Sequence, residues 1–127
     1  MIVHAGDVGA ASVLDCLREV APVVAIRGNN DKGAWAECLA TSEVVEFSGA
    51  LLYVVHDLAE LDLDPGAAGF HVVVSGHSHR PSVDRRYGVL FINPGSIGPR
   101  RFTLPVALSL LRIVAPTLEA SIVELRV

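Results

Sequence analysis

Apolar residues occur along this chain in short runs, each closed by glycine or by a polar side chain. The most apolar of these runs, Val72-Val73-Val74, consists of β-branched residues only, which is typical of a strand buried on both faces. Apolar residues at helical spacing occur in two other stretches. The pattern predicts helices over residues 10–20 and 32–40, and strands over 1–5, 23–27, 44–47, 51–55, 72–74, 83–86, 89–92, 104–114 and 118–127.

The order of these predicted elements favours an α/β fold. Strands and helices alternate over the first forty residues, and later strands are joined by the short turns Ser48-Gly49 and Tyr87-Gly88, which indicate hairpins. Alternation followed by hairpins predicts an α/β core with two mixed sheets. No repeat, linker or low-complexity segment interrupts the 127 residues, so residues 1–127 are expected to form a single domain.

Composition narrows the class of protein. Hydrophobic residues make up 51% of the chain and charged residues 19%, which excludes a disordered protein and points to deeply buried strands or a covered surface. No apolar run reaches the ~20 residues of a membrane-spanning helix, and the first residues lack the pattern of a signal peptide. A net charge of −4 argues against nucleic-acid binding. Cys16 and Cys38 are expected to be buried free thiols, and the expected location is cytoplasmic.

Side chains able to bind a metal follow four of the predicted strands. Gly6-Asp7, Gly28-Asn29 and His56 each come directly after a strand, and Gly76-His77-Ser78-His79 follows the valine run. Open α/β sheets form their ligand site beyond the carboxyl ends of the strands, so we expect these side chains to lie together. A carboxylate, an amide and three imidazoles without a thiolate suit Mn²⁺, Fe, Zn²⁺, Ni²⁺ or Co²⁺, without choosing among them.

The order of these motifs resembles the calcineurin-like metallophosphoesterase superfamily, and most closely its small single-domain prokaryotic phosphodiesterases. The resemblance implies an α/β protein with a four-layer α/β/β/α metallophosphoesterase sandwich of two mixed sheets, built around two divalent metal ions. By the same resemblance, Asp7 bridges the two metals and His79 serves one of them. The other metal is then completed by Asn29, His56 and His77. The motifs that carry the resemblance are Gly6-Asp7, Gly28-Asn29-Asn30-Asp31, His56, Gly76-His77-Ser78-His79 and Asn93-Pro94-Gly95-Ser96.

The sequence departs from the family pattern at its first motif. The family begins with a strand that carries Asp-x-His, which supplies two ligands to the metal that His79 serves, and this sequence lacks it. His4 lies inside a predicted strand and is expected to be structural. We therefore expect an N-terminally truncated form of the fold with one competent metal site and one weak site. It is either a fragment of a longer enzyme or a short form that covers the gap by homo-oligomerisation.

Two further departures concern residues beside the predicted ligands. Many relatives have histidine where this chain has Asn30, and an amide can donate a hydrogen bond to phosphate but cannot supply a proton. The expected catalytic role of Asn30 is therefore phosphate positioning, shared with Arg100, for which a solvated loop charge is the alternative. Asp57 stands where relatives usually have glycine. It is expected either to orient a neighbouring ligand or to cap the segment that follows.

The resemblance implies an enzyme that hydrolyses phosphodiesters through metal-activated water. The expected substrate is a small phosphoester, the expected cofactors are divalent ions such as manganese, and activity is expected to be impaired in this short form. The alternative is a non-catalytic scaffold of the same fold that binds protein partners, as a retromer subunit of the superfamily does. The missing Asp-x-His and the apolar composition favour the scaffold, whereas the four retained ligands of one metal argue against it.

Overall fold

Every apolar run predicted to be a strand forms one in the structure, a computed structural model that describes residues 1–99, 103–114 and 116–126. The predicted helices are also present, although both are shorter than predicted. The elements are β1 Ile2–His4, α1 Ala11–Arg18, β2 Val23–Ala25, α2 Ala34–Glu37, β3 Ser42–Phe47, β4 Ala50–Val55, the single 3-10 turn η1 Leu58–Glu60, β5 Val72–Val74, β6 Ser82–Arg86, β7 Val89–Asn93, β8 Ala107–Val114 and β9 Thr117–Glu124.

Local backbone preferences explain where several elements end. The turns Ser48-Gly49 and Tyr87-Gly88 have positive φ at both residues, which is the type I′ geometry that matches the twist of two-residue hairpins. Helix α2 was predicted to begin at residue 32 but starts after Gly33, whose φ of 103° lies outside the helical region. Glycine therefore sets the boundary of α2 as it sets those of the hairpins.

The largest sheet has five strands in the order β3-β4-β5-β7-β6. Its three central strands, β4, β5 and β7, are parallel, whereas β3 and β6 pair antiparallel at the two edges. The carboxyl ends of β4, β5 and β7 therefore lie together at one end of the sheet. His56, the His77–His79 loop and Asn93 are found at this end.

Two small ladders pack against one face of this sheet. Strands β1 and β2 form a parallel pair, and β8 and β9 form an antiparallel hairpin. Apolar side chains of both pairs contact the core residues of the large sheet, so the predicted α/β sandwich is confirmed, with its second layer made from these two ladders. The core comprises Ala5, Ile26, Val45, Ala50, Leu52, Val54, Val72, Val74, Leu90 and Ile92, with Val3, Val24, Leu111, Ile113, Leu118 and Ala120 packed against it.

The opposite face of the sheet carries a second, smaller core. Val73 packs there with Val55 and Val89, while Val72 and Val74 face the main core. All three valines of β5 are buried, as predicted for a strand covered on both faces. Cys16 and Cys38 are free, but the prediction that they are buried is wrong, because both are exposed, Cys16 in α1 and Cys38 directly after α2. Among the described residues, no helix is long and apolar enough to cross a membrane.

The main core predicts a strong effect of truncation at Leu90. Leu90 is 1% exposed, and Leu90→Ala should lower the free energy of unfolding by about 2–5 kcal/mol, because it removes apolar contacts and leaves a cavity. The matched control is Leu110→Ala in β8, where the side chain is 60% exposed and a change within about 0.5 kcal/mol is expected. Urea unfolding measures both, and equal losses would contradict this description of the core.

Candidate metal centre

Four of the five predicted metal ligands converge where the strand ends of the two layers meet. Oδ1 of Asn29 lies 2.8 Å from Nε2 of His56 and 3.2 Å from Nδ1 of His77. Nε2 of His56 is 3.3 Å from Nδ1 of His77 and 3.5 Å from Oδ2 of Asp7. Asp7 follows β1, Asn29 follows β2, His56 follows β4 and His77 follows β5, as expected for side chains at the carboxyl ends of parallel strands.

The hydrogen bonding of His56 defines which of its nitrogens faces this cluster. Nδ1 lies 2.7 Å from the carbonyl oxygen of Ala5, and because a carbonyl only accepts, Nδ1 carries the proton. In the neutral ring Nε2 is then an acceptor, and it points at the acceptor oxygens of Asn29 and Asp7. His56 is only 5% exposed, so water does not separate these groups freely. Acceptors so placed repel one another unless a proton or a cation lies between them.

A divalent cation fits this donor set. Donor atoms that share an ion at ~2.0–2.2 Å stand about 3 Å apart, and the spacings in the cluster run from 2.8 to 3.5 Å. Oxygen and imidazole donors suit the first-row divalent metals. Within the described part of the chain, no three His, Cys, Asp or Glu side chains form a ligand group by themselves. The amide oxygen of Asn29 lies within 3.2 Å of a nitrogen of both His56 and His77, and it supplies the donor that those two histidines need beside them.

Asn30 clamps the carboxylate of Asp7. Its backbone N–H donates to Oδ1 of Asp7 at 2.9 Å, and its side-chain Nδ2 donates to Oδ2 at 3.1 Å. Asp7 itself has φ of 58°, a left-handed conformation that aspartate tolerates better than most residues. One N–H of the exposed Asn30 amide is thus occupied by Asp7, and the NH₂ group has a second to offer.

Two glycines allow the loops that carry Asp7 and Asn29 to touch. A Cβ on Gly28 would overlap the backbone nitrogen and Oδ1 of Asp7. A Cβ on Gly6 would come within 2.6 Å of Nδ1 of His56 and 2.8 Å of Cα of Gly28. Gly6 also has φ of 97°, a conformation that favours glycine. The glycines before Asp7 and Asn29 are therefore required by the close approach of the two loops.

Asp31 is a positioning residue that the sequence reasoning missed, although it ends the Gly-Asn-x-Asp motif. It is 1% exposed, and its carboxylate accepts from the N–H of Gly28 at 2.8 Å and from the N–H of Gly9 at 3.0 Å. Burial by itself raises the pKa of Asp31, but the surrounding backbone N–H donors outweigh it and hold that pKa below its ordinary value. Asp31 thereby ties the loop after β1 to the loop after β2.

Asn93 stabilises the loop of residues 76–79, which carries His77 and His79. Its Nδ2 donates to the carbonyl oxygen of Gly76 and to Oγ of Ser78, each at 3.0 Å, and its Oδ1 accepts from the N–H of Gly95 at 2.9 Å. The side chain is buried at the end of β7. The Asn-Pro-Gly-Ser motif therefore holds the loop that presents His77.

The remaining histidines occupy distinct positions. His77 and His79 both have left-handed backbones, with φ of 66° and 61°, and His79 is half-buried. Nδ1 of His4 accepts from the N–H of Gly6 at 3.3 Å, so His4 supports the turn that precedes Asp7. Burial lowers the pKa of His4, against the opposing charges of Asp31 and Asp7. Arg100, predicted to position phosphate, lies outside the described residues.

Comparison with known proteins places this arrangement in context. A family model of the calcineurin-like phosphoesterase superfamily domain matches residues 1–115. A probable metallophosphoesterase of Methanocaldococcus jannaschii is 35% identical over 104 residues, which cover 76% of this chain and 52% of that protein. Another, from Methanothermobacter thermautotrophicus, is 31% identical over 134 residues, covering 98% of this chain and 75% of that protein. The chain thus spans about half the length of the first relative and three quarters of the second.

Solved structures show the same fold. Vps29 of Chaetomium thermophilum matches with a TM-score of 0.82 at 21% identity, covering 98% of this chain and 71% of that one. A structure described as a novel archaeal phosphodiesterase matches with a TM-score of 0.75 at 21% identity, covering 95% and 81%. Vps29 of Entamoeba histolytica in complex with zinc matches with a TM-score of 0.72 at 20% identity, covering 96% and 80%.

The contact between the two glycine loops yields a prediction about Gly28. Gly28→Ala should lower the free energy of unfolding by about 1–3 kcal/mol, because the new methyl group collides with the backbone of Asp7. Gly66→Ala is the matched control, since its nearest neighbours would lie at an ordinary 3.6 Å. Thermal unfolding of both variants measures the difference, and equal stability of the two would refute the close approach.

Asp31 yields a prediction with a defined pH dependence. Asp31→Asn should cost about 1–3 kcal/mol at neutral pH, because the amide cannot accept from both N–H groups. The folded pKa of Asp31 is lowered, so its contribution is complete above the ordinary aspartate pKa and is lost as pH falls through the folded value. The difference between wild type and variant should therefore shrink in acid. The control is Asp15→Asn, at an exposed ion pair with Arg18, where a constant difference near zero is expected.

Proposed function

Since the chain belongs to the calcineurin-like phosphoesterase superfamily, we propose that it is a metal-dependent hydrolase of small phosphodiesters. The observation that supports this most directly is the cluster formed by side-chain nitrogen and oxygen atoms of Asp7, Asn29, His56 and His77, with spacings of 2.8–3.5 Å. These residues would hold one divalent cation, and Asp7 and His79 would serve a second. The archaeal structural neighbour, described as a phosphodiesterase, supports the choice of substrate class.

The chain's own residues define what the site does around the ion. A bound divalent cation would supply an activated water for attack on phosphorus and would neutralise charge on the phosphate. Asn30 holds the Asp7 carboxylate with one N–H of its amide, and the other is placed to bind a non-bridging phosphate oxygen. Arg100 is proposed as a second phosphate-positioning residue. Asp31 and Asn93 hold the loops that carry the ligands.

Asn30 also limits the substrates that the site turns over. An amide cannot protonate a leaving group at neutral pH, so departure of the alcohol depends on its own acidity. We therefore expect aryl phosphodiesters, whose leaving groups are good, to be hydrolysed faster than alkyl ones. The exposed positions of Asn30 and His77 leave room for a small substrate to approach from solvent.

The metal and the location are proposed on chemical grounds. Manganese suits the mixture of carboxylate, amide and imidazole donors, and zinc, iron and nickel share this preference. The solved structure of a Vps29 with zinc supports zinc as the first alternative. Cys16 and Cys38 are exposed and unpaired, which suits a reducing compartment, and we propose the cytoplasm.

A second candidate is a scaffold that binds protein partners. Large apolar side chains are exposed on the β6–β7 hairpin and on β8, at Val83, Tyr87, Leu110 and Val114, as expected of a surface that a partner covers. The fold shared with Vps29 is compatible with either function. The two candidates differ in whether the chain binds a cation and turns over a phosphoester.

Hydrolysis of bis(p-nitrophenyl) phosphate with added Mn²⁺ tests the proposed function. We expect turnover that chelation abolishes, and a kcat/KM about 100-fold or more lower in His77→Ala, which removes a ligand. The matched control is His71→Ala, because His71 is exposed and only accepts from the N–H of Leu51 at 2.9 Å. If the wild-type protein shows no turnover and binds no metal, the hydrolase proposal is refuted and the scaffold function is favoured.

A further inference from the structure

The carboxylate of Asp57 contacts two different parts of the molecule, one with each oxygen. Oδ1 accepts from the backbone N–H of Ala59 at 3.0 Å and so caps the 3-10 turn η1. Oδ2 lies 3.8 Å from Nε2 of His77. The sequence left capping and ligand orientation as alternatives for this residue, whereas the geometry allows both at once.

The ring of His77 is held between Asp57 and the cluster. Its Nδ1 faces Oδ1 of Asn29 at 3.2 Å and Nε2 of His56 at 3.3 Å, while its Nε2 faces Asp57. The two imidazoles meet edge to face, with ring centroids 5.2 Å apart. A neutral imidazole has one protonated nitrogen. Asn29 and His56 favour a proton on Nδ1, and the carboxylate beside Nε2 opposes them by favouring a proton on Nε2, which leaves Nδ1 with a lone pair.

We propose that Asp57 is a positioning residue that keeps the proton of His77 on Nε2 and so presents Nδ1 as a metal donor. This inference rests on the proposed function, because it takes His77 as a ligand of the cation. A carboxylate beside the distal nitrogen of a ligating histidine fixes the tautomer and ring orientation and raises the basicity of the ligating nitrogen. The 3.8 Å separation is longer than a direct hydrogen bond and suits electrostatic attraction or one bridging water.

Exposure determines which part of this effect matters most. The side chain of His77 is 46% exposed and that of Asp57 is 32% exposed, so solvent screens the charge of the carboxylate. The main contribution is therefore the choice of tautomer, which water alone does not impose. The carbonyl of Ala5 fixes the tautomer of His56 in a similar way, but there the proton is on Nδ1 and Nε2 faces the cluster. Each of the two imidazoles thus has one nitrogen oriented by an acceptor outside the cluster.

Three variants separate the two roles of Asp57. Asp57→Asn preserves a cap, because asparagine caps as well as aspartate, but it removes the charge facing His77. Asp57→Ser also caps, and its side chain is too short to reach the ring. Asp62→Asn is the matched control, as it makes the same change of charge at an exposed aspartate of the same segment.

Nitrogen-15 NMR of the histidine side chains of the full chain, prepared without metal, measures the tautomer directly. We expect a larger fraction of the Nε2–H form of His77 in wild type and in Asp62→Asn than in Asp57→Asn and Asp57→Ser, where the acceptors beside Nδ1 are no longer opposed by the carboxylate. An unchanged tautomer in both Asp57 variants would overturn the proposal. This readout needs no metal, so it tests Asp57 even if the proposed hydrolase function fails.

Titration with Mn²⁺ gives the second readout. We expect the dissociation constant for Mn²⁺ to be about 10- to 100-fold higher in Asp57→Asn and Asp57→Ser than in wild type, and unchanged in Asp62→Asn. In a His77→Ala background, Asp57→Asn should have no further effect, because the residue through which Asp57 acts is gone. Lower melting temperatures for the Asp57 variants at unchanged affinity and tautomer would show that Asp57 is only a cap, and would overturn the proposal.

Discussion

The 2.7 Å hydrogen bond between Nδ1 of His56 and the carbonyl oxygen of Ala5 links the end of β4 to the end of β1, and so links the two layers of the sandwich. It also determines the chemistry of the site, because it fixes the proton of His56 on the nitrogen that faces away from the cluster. The loops of Asp7 and Asn29 then close around the other nitrogen. Gly6 and Gly28 make that closure sterically feasible, and Asp31 stabilises it with backbone hydrogen bonds.

The resulting arrangement brings together groups that all accept. The oxygens of Asp7 and Asn29 face the lone pair of the buried His56 at 3.5 and 2.8 Å in a partly buried setting. Without a cation this arrangement costs free energy, because acceptors that have lost water cannot form hydrogen bonds with one another. A cation bound to all three groups would offset this free energy, and the geometry therefore favours a metal centre. Left-handed backbones at Asp7 and His77 are a further cost that functional sites commonly carry.

Much of the fold and part of the site could be predicted from the sequence. The apolar runs located most of the strands, because burial in a sheet leaves a periodic trace in side-chain polarity. Strand β6 is exposed at all five residues and was predicted instead from the Tyr87-Gly88 turn that pairs it with β7. Side chains able to bind a metal at four strand ends, preceded by glycine at three of them, indicated the cluster. The left-handed conformation of His77, the buried carboxylate of Asp31 and the three hydrogen bonds of Asn93 could not be predicted, since they depend on which loops touch in three dimensions. Asn30 was assigned to phosphate alone, and its contact with Asp7 is a tertiary feature of the same kind.

The proposed metal centre requires these acceptors to surround a cation, and the amide oxygen of Asn29 lies beside both histidines of the cluster. The most direct test is the binding of Mn²⁺ to the whole chain by calorimetric titration, in wild type and in Asn29→Ala. Removal of the amide oxygen leaves His56 and His77 without their shared neighbour, so we expect a tight site in wild type that is lost in the variant. Equal Mn²⁺ affinity in the two proteins, or no binding in either, would contradict it.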